Sequence, residues 1–579
     1  MTSIQVWAPL PTRVELDLGG TRIAMKQEGG GWWSASPEEI PHGARYGFAL
    51  DDEGPFPDPR AGRMPDGVHA LSGMVDHTAF TWRHAAWQPP PLSSGSIIYE
   101  LHPGTFTPEG TFDAAGEKLE HLRALGVTHV ELMPVNSFSG SRGWGYDGVC
   151  LYAPHEAYGG PDGLKRFVDR CHGAGLAVLL DVVYNHFGPE GNYLGKFAPY
   201  QTDRHRTVWG DAVNLDGPGS AEVRRFFIDN ALMWLRDYRL DGLRIDAVHA
   251  FQDESAVHFL EQLRREVDRL ADELGRHLVL IAESDLNDPR IVRPTALGGY
   301  GMHAQWSDDF HHCLHAALTG ERSGYYADFG TVGQLAKAFR QAFVYDGCYC
   351  ESRGRPHGVR PTGLDGRSFL AYIQNHDQVG NRARGERLTH LVSPGKARIA
   401  AALALTSPFI PMIFQGEEWA ASAPFLYFTA HEDDALGRAV SEGRRREFSA
   451  FGWNPEDIPD PQDPETFRRS KLDWAERKHG PHREMLEWYG RLIALRRDRY
   501  DLRSPDLSTV ETRHDGAEQW IAIRRGRHQV VANLSGTGRR VPLFADCGTR
   551  LLAASGTDTA AITDGTLTAG PESVAILGP

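Results

Sequence analysis

Cysteine is scarce in this chain of 579 residues, with only six, at positions 150, 171, 313, 348, 350 and 547 and at no regular spacing. Scattered thiols do not form a disulfide framework, and they suit a reducing compartment. Cys348 and Cys350 are too close for a relaxed bridge, and no second cysteine pair completes a zinc site. Long apolar runs are missing too. The most apolar stretch, Leu403 to Phe414, is broken by Thr406, Ser407, Pro408 and Pro411, so it cannot supply the roughly 20 apolar residues of a membrane span. Its second half reads as a buried strand. The opening MTSIQVWAPLPTRVELDL carries neither the basic nor the apolar region of a secretory signal, which makes the cytoplasm the expected location. An excess of positive charge is also absent: 61 Lys and Arg stand against 76 Asp and Glu, a formal charge of −15. Such a balance opposes binding to nucleic acid or anionic lipid, and a neutral ligand fits it better.

What is present is ordinary for a folded protein: 41% hydrophobic and 24% charged residues, with no tract poor enough in aliphatics to stay disordered. The length exceeds what one core can serve, so several domains are expected, one of them large enough for a barrel of about 250 residues or more. Fourteen Trp are compatible with carbohydrate, whose C–H faces pack on aromatic rings, although most such rings belong to cores.

Residues 1–90 read as short strands broken by turn residues (IQVWAP, RVELDL, RIAMKQ, GGGWW, HGARYGFAL), the pattern of a β-sandwich that resembles a carbohydrate-binding module. WQPPPLSSGS, at 87–96, favours an extended linker. From 96 to about 500, strands alternate with amphipathic helices. The predicted strands are IIYELHP, HVELMPV, LAVLLDVVYNH, GLRIDAVH, LVLIAES, HAQWSDD, FLAYIQNHD and PFIPMIFQGEE. Parallel strands joined by helices, in this number, give an α/β protein with a central (β/α)₈ TIM barrel. Residues 501–579 return to short strands and predict a small C-terminal β-domain.

Four polar segments, DVVYNH, GLRIDAVH, IAES and NHD, end apolar strands, where barrel active sites are built. One carboxylate at a strand end equally caps the next helix; four such ends together point to chemistry. Asp246 and Glu283 end successive strands and should lie side by side, as a retaining glycosidase requires of its nucleophile and its acid/base. Arg244, two residues before Asp246, shares its face of the strand and would keep it ionised, whether as part of a site or as a plain salt bridge. Glu283 follows the apolar LVLIA, where desolvation favours its protonated form. Asp377 adds a third negative charge to stabilise an oxocarbenium-like transition state.

At these residues the sequence resembles the α-amylase family of glycoside hydrolases. DVVYNH (Asp181 to His186), GLRIDAVH (Gly242 to His249), the Glu283 strand and QNHD (Gln374 to Asp377) correspond to its four conserved regions. The resemblance implies Asp246 as nucleophile, Glu283 as proton donor and Asp377 as transition-state stabiliser. It further implies that Arg244, His186 and His376 line the cleaving subsite, with Tyr146 of GWGYDG stacking on glucose and its neighbour Asp147, like His249, among the substrate contacts. Within the family the likeness is strongest to the branch that hydrolyses maltooligosyltrehalose, through GWGYDGVCLYAPHEAYGGPDGLKRFVD, NHFGPEGNYL, NHDQVGNRARGERL and GRRREFSAFGW. That branch implies hydrolysis of the α-1,4 bond next to a terminal α,α-trehalose, with maltooligosyltrehalose and α-glucan oligosaccharides as substrates. It suggests Asp308, Asp309, His312 and Asn381 as ligands of the trehalosyl end. Gln378 stands where the branching enzymes of the family would carry Glu in SHDE, which favours hydrolysis over chain transfer.

Other readings are weaker. A glucan branching or debranching enzyme would use the same barrel, and a non-catalytic glucan-binding protein would not need all three carboxylates. A metal hydrolase would draw on Asp181, His186, His249, His311, His312 and His376, but none of these forms an HExxH pair. The segment 187–219 lacks a dense run of calcium ligands, so no metal and no cofactor is expected. Arg444 to Arg446 and the helix around Arg264 to Arg269 read as solvated or ion-paired faces, and a monomer is expected.

Overall fold

The computed structural model describes residues 3–37, 40, 43–450, 454, 457–556 and 561–579. Residues 451–453, the end of the GRRREFSAFGW segment, therefore lie outside the described residues.

Eight parallel strands close into a barrel. In chain order they are Ile98–Leu101, His129–Leu132, Ala177–Val182, Gly242–Ile245, Val279–Ala282, Ala304–Trp306, Phe369–Tyr372 and Ile410–Phe414, and the eighth pairs back onto the first through Met412 and Ile98. Each lies within one of the eight segments predicted from sequence. The link between the fifth and sixth strands departs from the regular pattern: it holds one 3₁₀ turn, Thr295–Leu297, where a helix would be expected.

Side chains alternate along a strand, so residue parity decides what faces the barrel axis. Ile98, Leu179, Val279, Ile281, Trp306, Leu370, Tyr372, Ile410 and Met412 form an inner cluster. Tyr99, Leu101, Val130, Leu132, Val178, Leu180, Leu243, Ile245 and Leu280 belong to the larger core shared with the helices. The same parity turns Glu100, Glu131, Asp181 and Arg244 inward, and the register sets Glu100 across from Glu131 and Asp181 across from Arg244. Gly242 is required below Arg244, because a Cβ there would lie 2.5 Å from the Val279 carbonyl oxygen.

The crossover helix Phe259–Leu274 shows how sequence sets the outer layer. Phe259, Leu260, Leu263, Val267 and Leu270 form its buried stripe, and Gly275, at φ 60°, ends it in the left-handed region that glycine tolerates. Its outer face carries the Arg264–Asp268 pair at 2.8 Å and the pairs Arg265–Glu261 and Arg269–Glu266, as the charge pattern predicts.

The N-terminal module is two small antiparallel sheets. It packs on the barrel through Trp7 against Tyr200 and Phe48 against Phe197, and through an Arg60–Asp229 ion pair of 2.8 Å. The Pro-rich linker is docked: Trp87 stacks on His172 and donates from Nε1 to Asp241 at 3.0 Å. After the helix Gly480–Asp498 the chain enters a five-stranded sheet and a three-stranded one. Two buried guanidiniums brace the junction of helix, barrel and module. Arg496 donates to the carbonyls of Ser94, Leu405, Ser407, Leu502 and Phe409, and Arg525 to those of Thr406, Asp501 and Ser504. Among the described residues, no helix is long and apolar enough to cross a membrane.

Candidate active site

A cleft of about 570 Å³ opens at the carboxyl ends of the barrel strands. Its floor is organised by one residue. Arg244, fully buried, reaches Asp181 at 2.8 and 2.7 Å and Asp246 at 2.6 Å from Nη1, and Glu283 at 3.1 Å from Nη2. Its guanidinium lies 4.2 Å over the Trp306 ring, which closes the barrel beneath it. Asn185 at the end of the third strand donates to the other oxygen of Asp246 at 2.6 Å. The turn after Asp246 places Ala247 at φ 40°, and this left-handed backbone aims the Ala247 amide at Glu283 Oε2, 2.7 Å away.

The two neighbouring carboxyls are driven to opposite protonation states. Burial alone would raise Asp246, but Arg244, His186 and Asn185 outweigh it and hold the carboxyl below its ordinary value. Burial raises Glu283 well above its own; Arg244 pulls it back, and Asp246, Asp377 and Asp308 push it up again. An ionised carboxylate beside a protonated one can attack a carbon while delivering a proton to the departing oxygen.

One wall is built by the loop after the second strand. The Tyr146 hydroxyl donates to Asp181 at 2.5 Å and meets His376 Nε2 at 2.7 Å, with the two rings stacked 5.1 Å apart. His186 Nε2 donates to the Tyr146 carbonyl at 2.9 Å. Asp377 follows the seventh strand, and Asn381, one turn on, donates to it at 3.2 Å. Arg244 and His376 are both fully buried, so they act on the cleft from below rather than lining it.

Asp147, His249, Asp308, His312 and Gln378 line the same cleft. Burial lifts Asp308 to about 7, against the hydrogen bond it accepts from Tyr372. Asp309 does not join them. Its carboxylate accepts from Asn287 Nδ2 at 2.8 Å and from the amides of Val344 and Tyr345 at 2.6 and 3.0 Å, which ties down a loop. Asp308 and Asp309 open one helix, and neighbours on a helix are about 100° apart, so only the first faces the cleft. Arg444 is ion-paired, as one of the two expected readings has it, with Glu447 at 3.5 Å, but it does more. Instead of a solvated face it lines the cleft, its side chain 10% exposed, stacked over Tyr427 and donating to Asn381 at 3.0 Å.

Sequence reasoning missed several walls of the cleft. Trp209, on the hairpin Gln201–Val213, stacks on His186 with rings 4.9 Å apart. Arg353 pairs with Asp285 at 2.7 Å and Glu321 with Arg382 at 2.9 Å, while Tyr325, Tyr326 and Tyr427 supply rings. These residues sit in insertions between strands, where no periodicity marks them; an exposed Trp next to Gly in a polar turn is the one local sign. Two groups of the described residues could converge on a cation, His69 with Glu190 and Glu432, and His205 with Asp216 and Glu254; none of the six lines the cleft.

A family described as "Alpha amylase, catalytic domain" matches residues 77–209, and a "Domain of unknown function (DUF3459)" matches residues 505–576. A malto-oligosyltrehalose trehalohydrolase from Rhizobium sp. (strain M-11) is 50% identical over 97% of this chain and 94% of its own length. One from Arthrobacter ramosus is 50% identical over 91% and 92%. The crystal structure of a putative alpha amylase from Salmonella typhimurium superposes with a TM-score of 0.91 at 38% identity, covering 100% of this chain and 97% of that one. With half of its residues shared along nearly the whole length of such relatives, the chain belongs to the malto-oligosyltrehalose trehalohydrolase family, built on the α-amylase barrel.

Proposed function

We propose that the protein hydrolyses the α-1,4 bond next to a terminal α,α-trehalose in maltooligosyltrehalose, releasing trehalose and a maltooligosaccharide, with retention at the anomeric carbon. Asp246 attacks that carbon while Glu283 protonates the oxygen of the departing trehalose. The glucan is then held as an ester on Asp246 until water, deprotonated by Glu283, displaces it. Asp377 holds hydroxyls of the reacting glucose and faces the positive charge that develops in its ring. Tyr146 and His186 form the wall against that sugar; Asp308, His312 and Asn381 contact the trehalosyl end, and Asp147, His249 and Gln378 are further substrate contacts.

The observation that carries the mechanism is the shared guanidinium. Arg244 touches Asp246 at 2.6 Å and Glu283 at 3.1 Å; it holds Asp246 below the ordinary carboxylate value, while burial outweighs its pull on Glu283 and keeps that group well above. The trehalosyl specificity is supported by the relatives that share half of the sequence.

The test is to supply maltotriosyltrehalose and, separately, maltopentaose and amylose, and to identify the products by chromatography. Rapid formation of trehalose and maltotriose with slow attack on the plain glucans is expected. Longer or branched glucans without trehalose would overturn the specificity and leave the carboxylate roles standing.

A further inference from the structure

Glu100 is fully buried in the first strand, and no step above uses it. Its Oε2 accepts the His376 amide at 3.0 Å and its Oε1 meets His376 Nδ1 at 2.5 Å. Two donors converging on one carboxylate suit its anionic form, so the shared proton belongs on Nδ1. The other ring nitrogen is decided by counting protons. Arg244 donates to both oxygens of Asp181, which makes that carboxylate an acceptor. The Tyr146 hydroxyl has one proton and spends it on Asp181, 2.5 Å away. Its oxygen must then accept from His376, and Nε2, at 2.7 Å, must carry a hydrogen. Both ring nitrogens are thus donors, and the ring is an imidazolium.

We infer that Glu100 is a positioning residue that keeps His376 charged, so that a fixed cation and its Nε2–H stand beneath the cleft beside Tyr146 and Asp377. The titratable groups interacting with the ring lie on or beside the first, second, third, fourth and seventh strands: Glu100 and His102, Glu131, Asp181, Arg244 and Asp377, with Trp144 and Trp306 as aromatic neighbours. Burial by itself would lower the ring, and so would Arg244, but Asp377 and Glu100 outweigh both and raise it to about 9. Nε2 lies 3.4 Å from Asp377, so the cation stands beside the carboxylate that the proposed mechanism uses to hold sugar hydroxyls. This inference rests on the catalytic reading only for its consequence; the charge state of the ring stands on the hydrogen bonds alone.

The experiment is nitrogen NMR of the full chain with ¹⁵N-histidine, the His376 signals assigned by their loss in His376→Asn. In the unaltered protein at pH 7.5 both ring nitrogens should show the protonated signature. In Glu100→Gln the ring should become neutral and kcat should fall about 10- to 100-fold, the usual cost of removing the partner that orients a ring. KM should change little, the alkaline limb of the pH profile should move to lower pH, and Glu100→Asp should restore part of the loss. A neutral His376 in the unaltered protein overturns the inference, even if the variant does not fold. So does an imidazolium that persists in Glu100→Gln. A charged ring in a protein that releases no trehalose would instead count against the proposed substrate and leave Glu100's role intact.

Discussion

Replacing Arg244 with methionine should reverse the way stability at the active site depends on pH. The side chain is fully buried and lies 2.7 Å from Asp181, 2.6 Å from Asp246 and 3.1 Å from Glu283. Breaking a buried ion pair from one side costs about 3–5 kcal/mol, because the abandoned charge stays buried. The sign follows from Asp246. With Arg244 present its folded-state pKa is lowered, so the stability it contributes is present above the unfolded value of about 3.9 and is lost as pH falls through the folded one. Without Arg244 burial prevails and the folded value rises above the unfolded one. The contribution is then present at low pH and lost as pH rises. For each carboxyl that keeps a proton only in the folded chain, the deficit of the variant should shrink by about 1.4 kcal/mol per pH unit, or about 2.7 kcal/mol between pH 7 and pH 5. Melting temperatures of both proteins at pH 5, 6 and 7 measure it, and effects common to both cancel in the difference. Parallel curves would show that Arg244 is not what keeps Asp246 ionised.

Asp246→Asn should lower kcat on maltotriosyltrehalose by about 10⁴-fold or more with an unchanged circular dichroism spectrum; turnover within tenfold of the parent would remove the nucleophile assignment. Burial lowers His102 and His312 to about 3 and His129 and His303 to about 4, so these rings take up protons only on unfolding. Each of these rings should therefore withdraw stability as pH falls below about 6.5, by up to about 2 kcal/mol at pH 5, so the deficit of a His303→Gln variant relative to the parent should shrink between pH 7 and 5; a constant deficit would contradict this. Gly380→Ala would drive a Cβ into the ring of Trp144, which lines the cleft. A loss of about 1–3 kcal/mol and a raised KM are expected from denaturant titration and kinetics. Exhaustive EDTA treatment should leave turnover unchanged; a loss restored by Ca²⁺ would reveal a required ion.

Several features are legible in the sequence because they depend on periodicity. The barrel strands are short apolar runs of fixed parity, and a residue two places from another shares its face, which is why the order of residues is enough to pair Arg244 with Asp246. Asp246 and Glu283 stand out because polar residues that end apolar strands interrupt a hydrophobic pattern. Glu100 and Glu131 interrupt it just as plainly inside IIYELHP and HVELMPV, but nothing local says whether such a residue meets a cation, a histidine or another acid.

Sequence by itself determined the layers of this protein: which segments are strands, which helix faces are apolar and which carboxylates sit at strand ends, all set by side-chain alternation and burial within about ten residues. Only the tertiary structure decided the partners. Glu100 meets His376 across 276 positions and Tyr146 meets it across 230, while Asp309 turns away from a cleft that Asp308, its neighbour, lines. The physical reason is that protonation and orientation follow from contacts a few ångströms long between residues hundreds apart, which closing the barrel creates.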